Sequence, residues 1–221
     1  MKGILDIEYA HLRERKRDLK YRVKRRTCEI LKTIARYSPH PRFILDLGTA
    51  EGRMLETVQI NHPSSLCVGV DYSLALLNYG AKKFPGLNLI RADIQNLNFL
   101  EGERFDVIIA AAVFEHLVRP QKMLSESYRL LQKNGILIIT SPHPFWERIA
   151  RCLGKIKGDH PSVMNSESIF GLCEKVGLSF IEKRGFMLTP SGVVGEEKLE
   201  GFLAQYGLDR YFPNQLIVVK K

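Results

Sequence analysis

From Arg42 onward, short apolar runs alternate with stretches of helical periodicity, and that alternation limits the architecture more than any other property of the chain. Residues 43–47 read as a strand, a glycine-containing turn follows, and a helix opens over 53–58. Residues 66–70 form a second apolar run ending at Asp71, and Ser73 suits the N-cap of a helix reaching Ala81. Strands are expected again at 87–91, 105–112 and 136–140, the last preceded by an amphipathic helix over 120–131 that Asn134 and Gly135 stop. Repeated strand–helix–strand units of this kind build a mostly parallel α/β sheet covered by helices.

The rhythm then breaks. Residues 141–165 show no clear period and hold three prolines, which predicts an insertion over one end of the sheet. Beyond it come a helix over 167–176 capped by Asn165 or Ser166, a sixth strand over 178–188 interrupted by Gly185, a helix over 196–206 and a final strand over 215–219. No Gly/Ser/Pro-rich tract divides the 221 residues, so a single domain is expected. Its parts are a basic helical segment over 1–40, a core over 41–140, the insertion over 141–165, and closing strands and helices over 166–221.

The formal charge is +9, and most of it is concentrated in one place. Between His11 and Arg26 stand nine basic residues (Arg13, Arg15, Lys16, Arg17, Lys20, Arg22, Lys24, Arg25 and Arg26) against the acids Glu14 and Asp18. Apolar positions at Leu12, Leu19, Val23, Ile30 and Ile34 run through the same stretch at helical spacing, so a surface helix with a cationic wet face is expected. Such a face suits phosphate groups on a substrate, an anionic lipid surface or nucleic acid, and charge alone does not choose among them. The longest apolar run, residues 107–114, is eight residues, far short of a membrane span. Cys28, Cys67, Cys152 and Cys173 form no CxxC pair; free thiols, no zinc site and a cytoplasmic setting are expected.

Residues 44–55, ILDLGTAEGRML, are the most informative segment. A strand ends in Asp46, and Gly48 and Gly52 bracket a tight turn into a helix, where positive φ and close approach of a ligand to the backbone both favour glycine. The dinucleotide fingerprint would need glycine at 48, 50 and 53; Ala50 and Arg53 stand there instead, which disfavours a nicotinamide or flavin cofactor. Asp71 ends the second strand, where a carboxylate can accept from both ribose hydroxyls, and Asp93 ends the third. One acid at a strand end is commonplace; three in order along one strand edge, after a glycine turn, are not.

The block 42–142, roughly 100 of 221 residues, resembles a class I S-adenosylmethionine-dependent methyltransferase, near the type 11 and ubiquinone/menaquinone-biosynthesis groups. The resemblance rests on DLGTAEG at 46–52, Asp71, the Asp93–Ile94 pair, FDVIIAAAVFEH at 105–116 and LLQKNG at 130–135. It implies a Rossmann-like, doubly wound, seven-stranded sheet, mostly parallel with an antiparallel last strand and helices on both faces. It also implies S-adenosyl-L-methionine as cofactor and S-adenosyl-L-homocysteine as product. The cofactor contacts it carries over are Asp46, Gly48, Thr49, Ala50, Glu51, Gly52, Asp71, Tyr72, Asp93, Ile94, Ala111 and Glu115. Ala50 departs from the glycine usual there and is expected to leave less room beside the cofactor.

Methyl transfer asks the protein mainly to bind, align and exclude water, because the cofactor brings the electrophile. Where the acceptor must lose a proton, His116, His143 and His160 are the candidate bases. Residues 112–115, Ala-Val-Phe-Glu, lack the Pro-Pro-aromatic motif of base-amino methyltransferases, and no cysteine suits cytosine C5 chemistry. A small-molecule acceptor, lipophilic or phosphate-bearing, is therefore expected. Alternatives are an RNA methyltransferase that clamps phosphates with the basic helix, and a non-catalytic partner protein that retains the cofactor fold. Peripheral contact with an anionic membrane also fits the charge.

Overall fold

The computed structural model describes residues 7–154 and 161–221. In chain order it contains α1 (Ile7–Arg15), α2 (Arg17–Tyr37), β1 (Phe43–Leu47), α3 (Arg53–Asn61), β2 (Leu66–Asp71), α4 (Leu74–Lys83), β3 (Asn88–Arg91) and β4 (Phe105–Ala111). Then follow α5 (Pro120–Leu130), β5 (Leu131–Pro142), α6 (Pro144–Cys152), α7 (Ser166–Lys175), β6 (Ser179–Phe186), α8 (Glu196–Gln205) and β7 (Asn214–Lys220). The strands form one sheet in the order β3-β2-β1-β4-β5-β7-β6. β1 to β5 are mutually parallel, and β7 runs antiparallel to both of its neighbours. Strand order reverses between β1 and β4, and open α/β sheets bind their ligands outside the strand carboxyl ends at such a switch.

Alternate residues of the central strands feed two cores. Leu45, Leu47, Ile108, Ala110, Leu137 and Ile139 face one side, where Met123 and Leu124 of α5 and Ile169 of α7 pack. Ile44, Val107, Ile109, Ile136 and Ile138 face the other, under Ile30 and Ile34 of α2 and Leu55 and Val58 of α3. Burial on both faces explains why these strands read as unbroken apolar runs rather than alternating ones. The helix caps follow the side chains: Ser73 accepts from the Leu76 amide, and Asn165 accepts from the Ser168 amide.

Three parts of the sequence reading change. The basic segment is two helices, broken where Lys16 adopts an extended conformation, and only Ile30 and Ile34 of its apolar stripe reach the core. Arg25 belongs to no wet face at all: it is buried between Glu29 and Glu200. The insertion over 141–165 contains α6, which starts at Pro144. Proline at the first helical position lacks only an amide that would be unpaired anyway, so there it starts a helix instead of breaking one. β5 also begins earlier than expected, at Leu131, carrying Asn134 in the left-handed region inside the strand.

One packing contact governs the glycine turn. A Cβ built on Gly80 of α4 would lie 2.3 Å from the carbonyl oxygen of Glu51, a backbone atom that cannot swing aside. Gly80→Ala is expected to cost about 1–3 kcal/mol and to push the turn over 48–52 away from α4. Chemical denaturation checks the first effect; an unchanged midpoint would show that this close approach is not required.

Candidate functional site

The turn after β1 alternates left-handed residues: Gly48 at φ 74°, Ala50 at φ 54° and Gly52 at φ 80°. Amides of Gly48 and Thr49 donate to the Val70 carbonyl at 2.8 and 3.1 Å, pinning the turn to the tip of β2. The Asp71 carboxylate closes the arrangement by accepting from the Ala50 amide through Oδ2 and from the Ser73 amide through Oδ1, both at 2.8 Å. Asp71 is thus oriented by the loop it serves, with a free lone pair on each oxygen. Ala50 pays the left-handed strain of a residue with a Cβ, about 1–2 kcal/mol.

Beneath the turn lies Asp46, with 0% of its surface exposed and no hydrogen-bond partner for either carboxylate oxygen among the described residues. Burial pushes its carboxyl up to about 7, the Asp71 charge adds to this, and the Thr49 side chain and the Arg13 charge hold it back. Thr49 Oγ1, Glu51 Oε1, Glu115 Oε2 and Thr140 Oγ1 are likewise buried without a hydrogen-bond partner among the described residues. Buried polar atoms are almost always paired in folded proteins, so five side chains in this state around one strand edge call for a polar occupant. Glu115, in a short 3₁₀ turn just after β4, is pushed by burial to about 7; Arg26 pulls it down and Glu147 pushes it further up.

The structure brings most of the expected contacts to this edge. Ala111 ends β4 beside Thr140 of β5, and Asp71 pairs with Arg91 at the end of β3. Tyr72 is exposed, with the Arg91 guanidinium 5.8 Å above its ring. Asp93 is exposed and accepts from the Gln95 amide at 2.9 Å, whereas Ile94 points into the core beside Leu45 and Val70. Of the histidines, His143 caps α6, its Nδ1 accepting from the Phe145 amide at 3.3 Å, and burial lowers its pKa. That hydrogen bond occupies Nδ1 and leaves Nε2 as the other ring nitrogen. His116 shares the 3₁₀ turn with Glu115, and His160 lies outside the described residues.

α1 lies across the glycine turn, which the sequence did not announce. Ala10 packs with Ala50 and Leu76, Arg13 pairs with Glu51 at 3.1 Å, and Glu14 accepts from Arg53 and Tyr79, each at 2.9 Å, and from Lys83. The methyl of Ala50 thus serves as a contact for α1, instead of merely narrowing the space beside a ligand. Glu147 is also new to the site: it is the buried residue of α6, and it stayed invisible because the prolines around it hid the helix.

Residues 45–139 match the family model described as a methyltransferase domain. That segment is similar to the methyltransferase domain family. Over 71 residues the chain is 41% identical to a ubiquinone/menaquinone biosynthesis C-methyltransferase of Campylobacter jejuni, covering 32% of this chain and 30% of that protein. Over 164 residues it is 26% identical to a malonyl-[acyl-carrier protein] O-methyltransferase of Halalkalibacterium halodurans, covering 71% and 56% respectively. The chain thus spans from about a third to just over half the length of these two curated relatives. A SAM-dependent methyltransferase from Archaeoglobus fulgidus superposes with a TM-score of 0.63 at 19% identity, covering 98% of this chain and all of that one. The matched segment starts in β1 and ends in β5, so it holds the glycine turn, Asp71, Asp93 and Glu115, and leaves out both α1 and the connection carrying α8.

Proposed function

We propose that this chain binds S-adenosylmethionine across the tips of β1 to β4 and transfers its methyl group to a small-molecule acceptor that is lipophilic or phosphate-bearing. The observation that carries this reading is the fully buried carboxyl of Asp46, with only the Thr49 side chain to offset its burial, beneath a turn of left-handed residues, and the Asp71 carboxylate held at the next strand tip. Burying a carboxyl with no partner costs several kcal/mol, and a protein keeps such a group where a ligand completes it. When bound, the cofactor supplies an electrophilic methyl group on sulfur.

The residues divide the work by position. Asp71 takes the ribose hydroxyls, the backbone over 48–52 passes against the amino-acid end, and Asp93 and Tyr72 stand at the adenine side. Asp46 and Thr49 present buried polar atoms beneath the turn, and Glu51 is held there by Arg13. Ala111 and Glu115 close the β4 side, and Glu115, poised near neutrality, is the group able to accept a proton from an acceptor at physiological pH. His143 holds α6 in place as its cap.

Replacing Asp71 with Ala is expected to weaken S-adenosylhomocysteine binding roughly tenfold to hundredfold, the effect of losing charge-assisted hydrogen bonds worth about 1.5–3 kcal/mol. Calorimetric titration of the folded variant measures it, and an affinity equal to the parent's would remove the ribose role. Transfer of labelled methyl groups to any acceptor separates an enzyme from a partner protein that only binds the cofactor.

A further inference from the structure

The connection between β6 and β7, residues 187–213, is built unlike the rest of the molecule. α8 turns two of its acids inward and apolar residues outward: Glu196 and Glu200 are buried, while Leu199, Phe202 and, just after the helix, Tyr206 are exposed. Ahead of it, Val193 is 57% exposed and Val194 fully so. This is no slack turn. Glu196 accepts from the Thr189 and Val193 amides at 2.8 and 3.1 Å and from the Tyr21 hydroxyl at 2.7 Å, and Gly192 lies so close to the Tyr21 ring that a Cβ there would sit 2.4 Å from it. Buried carboxylates are thus used to hold aliphatic side chains in water, and an ordered apolar surface of this sort marks a contact site.

Cations stand beside it. Val193 and Val194 share a groove of about 390 Å³ with Arg17, Lys20 and Lys24 of α2, floored by Tyr21 and bounded by Ser191. Those three cations are exposed and make no ion pair among the described residues, whereas Arg13 and Arg25 of the same basic stretch are engaged by Glu51, Glu29 and Glu200. Of the acids of α8, Glu196 is taken up by Tyr21 and the Val193 amide, and Glu197 pairs with Lys32 at 3.2 Å. The cationic stretch therefore divides: one part holds the fold together, and the other flanks the exposed valines.

The geometry points to a docking surface for an anionic phospholipid bilayer, with Val193 and Val194 entering the headgroup layer and Arg17, Lys20 and Lys24 meeting lipid phosphates. Aliphatic insertion beside clustered cations is the chemistry that a bilayer rewards on both counts. A nucleic-acid backbone would engage the cations and leave the valines in water. The surface also faces the right way. Phe186, the end of β6, and Pro142, the end of β5, are both paired with Asn214, so the connection leaves from the same edge as the tips of the parallel strands. A lipophilic acceptor would then reach the strand tips from the membrane. The bilayer contact itself does not rest on the cofactor reading.

Sedimentation of the full chain with vesicles tests it. Binding is expected to vesicles of phosphatidylcholine and phosphatidylserine in equal parts and not to phosphatidylcholine alone, and to fade with added salt. Replacing Arg17, Lys20 and Lys24 together with Gln should weaken binding roughly a hundredfold, about fivefold for each cation. Val193→Ser with Val194→Ser should weaken it roughly tenfold. All five side chains project from the fold, so thermal unfolding of both variants should match the parent, and S-adenosylhomocysteine titration of each keeps this test separate from that of the cofactor site. Equal binding to both vesicle types, or unchanged binding of either variant, overturns the proposal. So does capture by an RNA oligonucleotide that the glutamine variant loses and the serine variant keeps, if vesicle binding is absent.

Discussion

Arg25→Ala is expected to destabilise the protein by about 3–5 kcal/mol, the cost of leaving buried carboxylates without their counter-charge. The Arg25 guanidinium is buried between Glu29, one turn along α2, and Glu200 of α8. Burial pushes both acids up; at Glu29 the hydrogen bonds from Arg25 and Lys32 and the nearby Arg184 outweigh it, and the carboxyl lies below its usual range. Glu200 remains raised, with Arg25 as the cation that restrains it. Removing Arg25 therefore strands Glu200 more than Glu29, since Arg184 still donates to Glu29 at 3.1 and 3.2 Å. Urea unfolding of Arg25→Ala should show the loss, and the double replacement Arg25→Met with Glu200→Leu should recover most of it, because a buried ion pair can be exchanged for apolar packing at little cost. A single variant as stable as the parent would mean that α8 does not depend on this bridge.

Asp46→Asn is expected to leave stability little changed at acid pH and to raise it progressively as pH rises from about 4 to about 7, with no further gain above. The sign follows from proton linkage. The folded carboxyl titrates near 7 and the unfolded one near 3.8, so between these values the unfolded chain releases a proton that the folded chain retains, and the parent loses stability as pH rises. Asparagine has no proton to release, so the difference between the two proteins isolates Asp46. Its full size is at most about 4 kcal/mol, from roughly 1.4 kcal/mol for each pH unit of displacement. A parallel pair of stability–pH curves would show that Asp46 is ionised in the folded protein. The same group gives a second readout: a ligand bringing positive charge to Asp46 should expel its proton, so S-adenosylmethionine binding should release protons at pH 6 and few at pH 8.5, as seen by calorimetry in buffers of different ionisation enthalpy.

The two variants probe parts of the molecule that differed in how legible they were. Asp46, Gly48, Gly52, Asp71 and Asp93 could be found by reading because each sits at a strand tip, and strand tips follow from local pattern: an apolar run, an acid, then a helix cap such as Ser73. Arg25 could not. In the sequence it is one of nine cations on a presumed wet face, and its burial depends on Glu200, which lies 175 residues away. Glu147 was hidden for a different reason. Its helix is announced by a proline at the first position, and the same residue type ends a helix when it stands anywhere further in.

The amino-acid sequence determined the alternation of strands and helices, the order of acids along one sheet edge, and the glycines that let the backbone turn there, because these depend on neighbours within a few residues. Tertiary structure decided which charges are spent inside. It closed α1 over the turn through Ala10, Arg13 and Glu14, buried Arg25 between two acids, and faced Leu199, Phe202, Val193 and Val194 toward solvent. The physical reason is that burial is a property of the whole packing: a side chain's charge and shape are written locally, but whether water or another carboxylate meets it depends on elements more than a hundred residues apart.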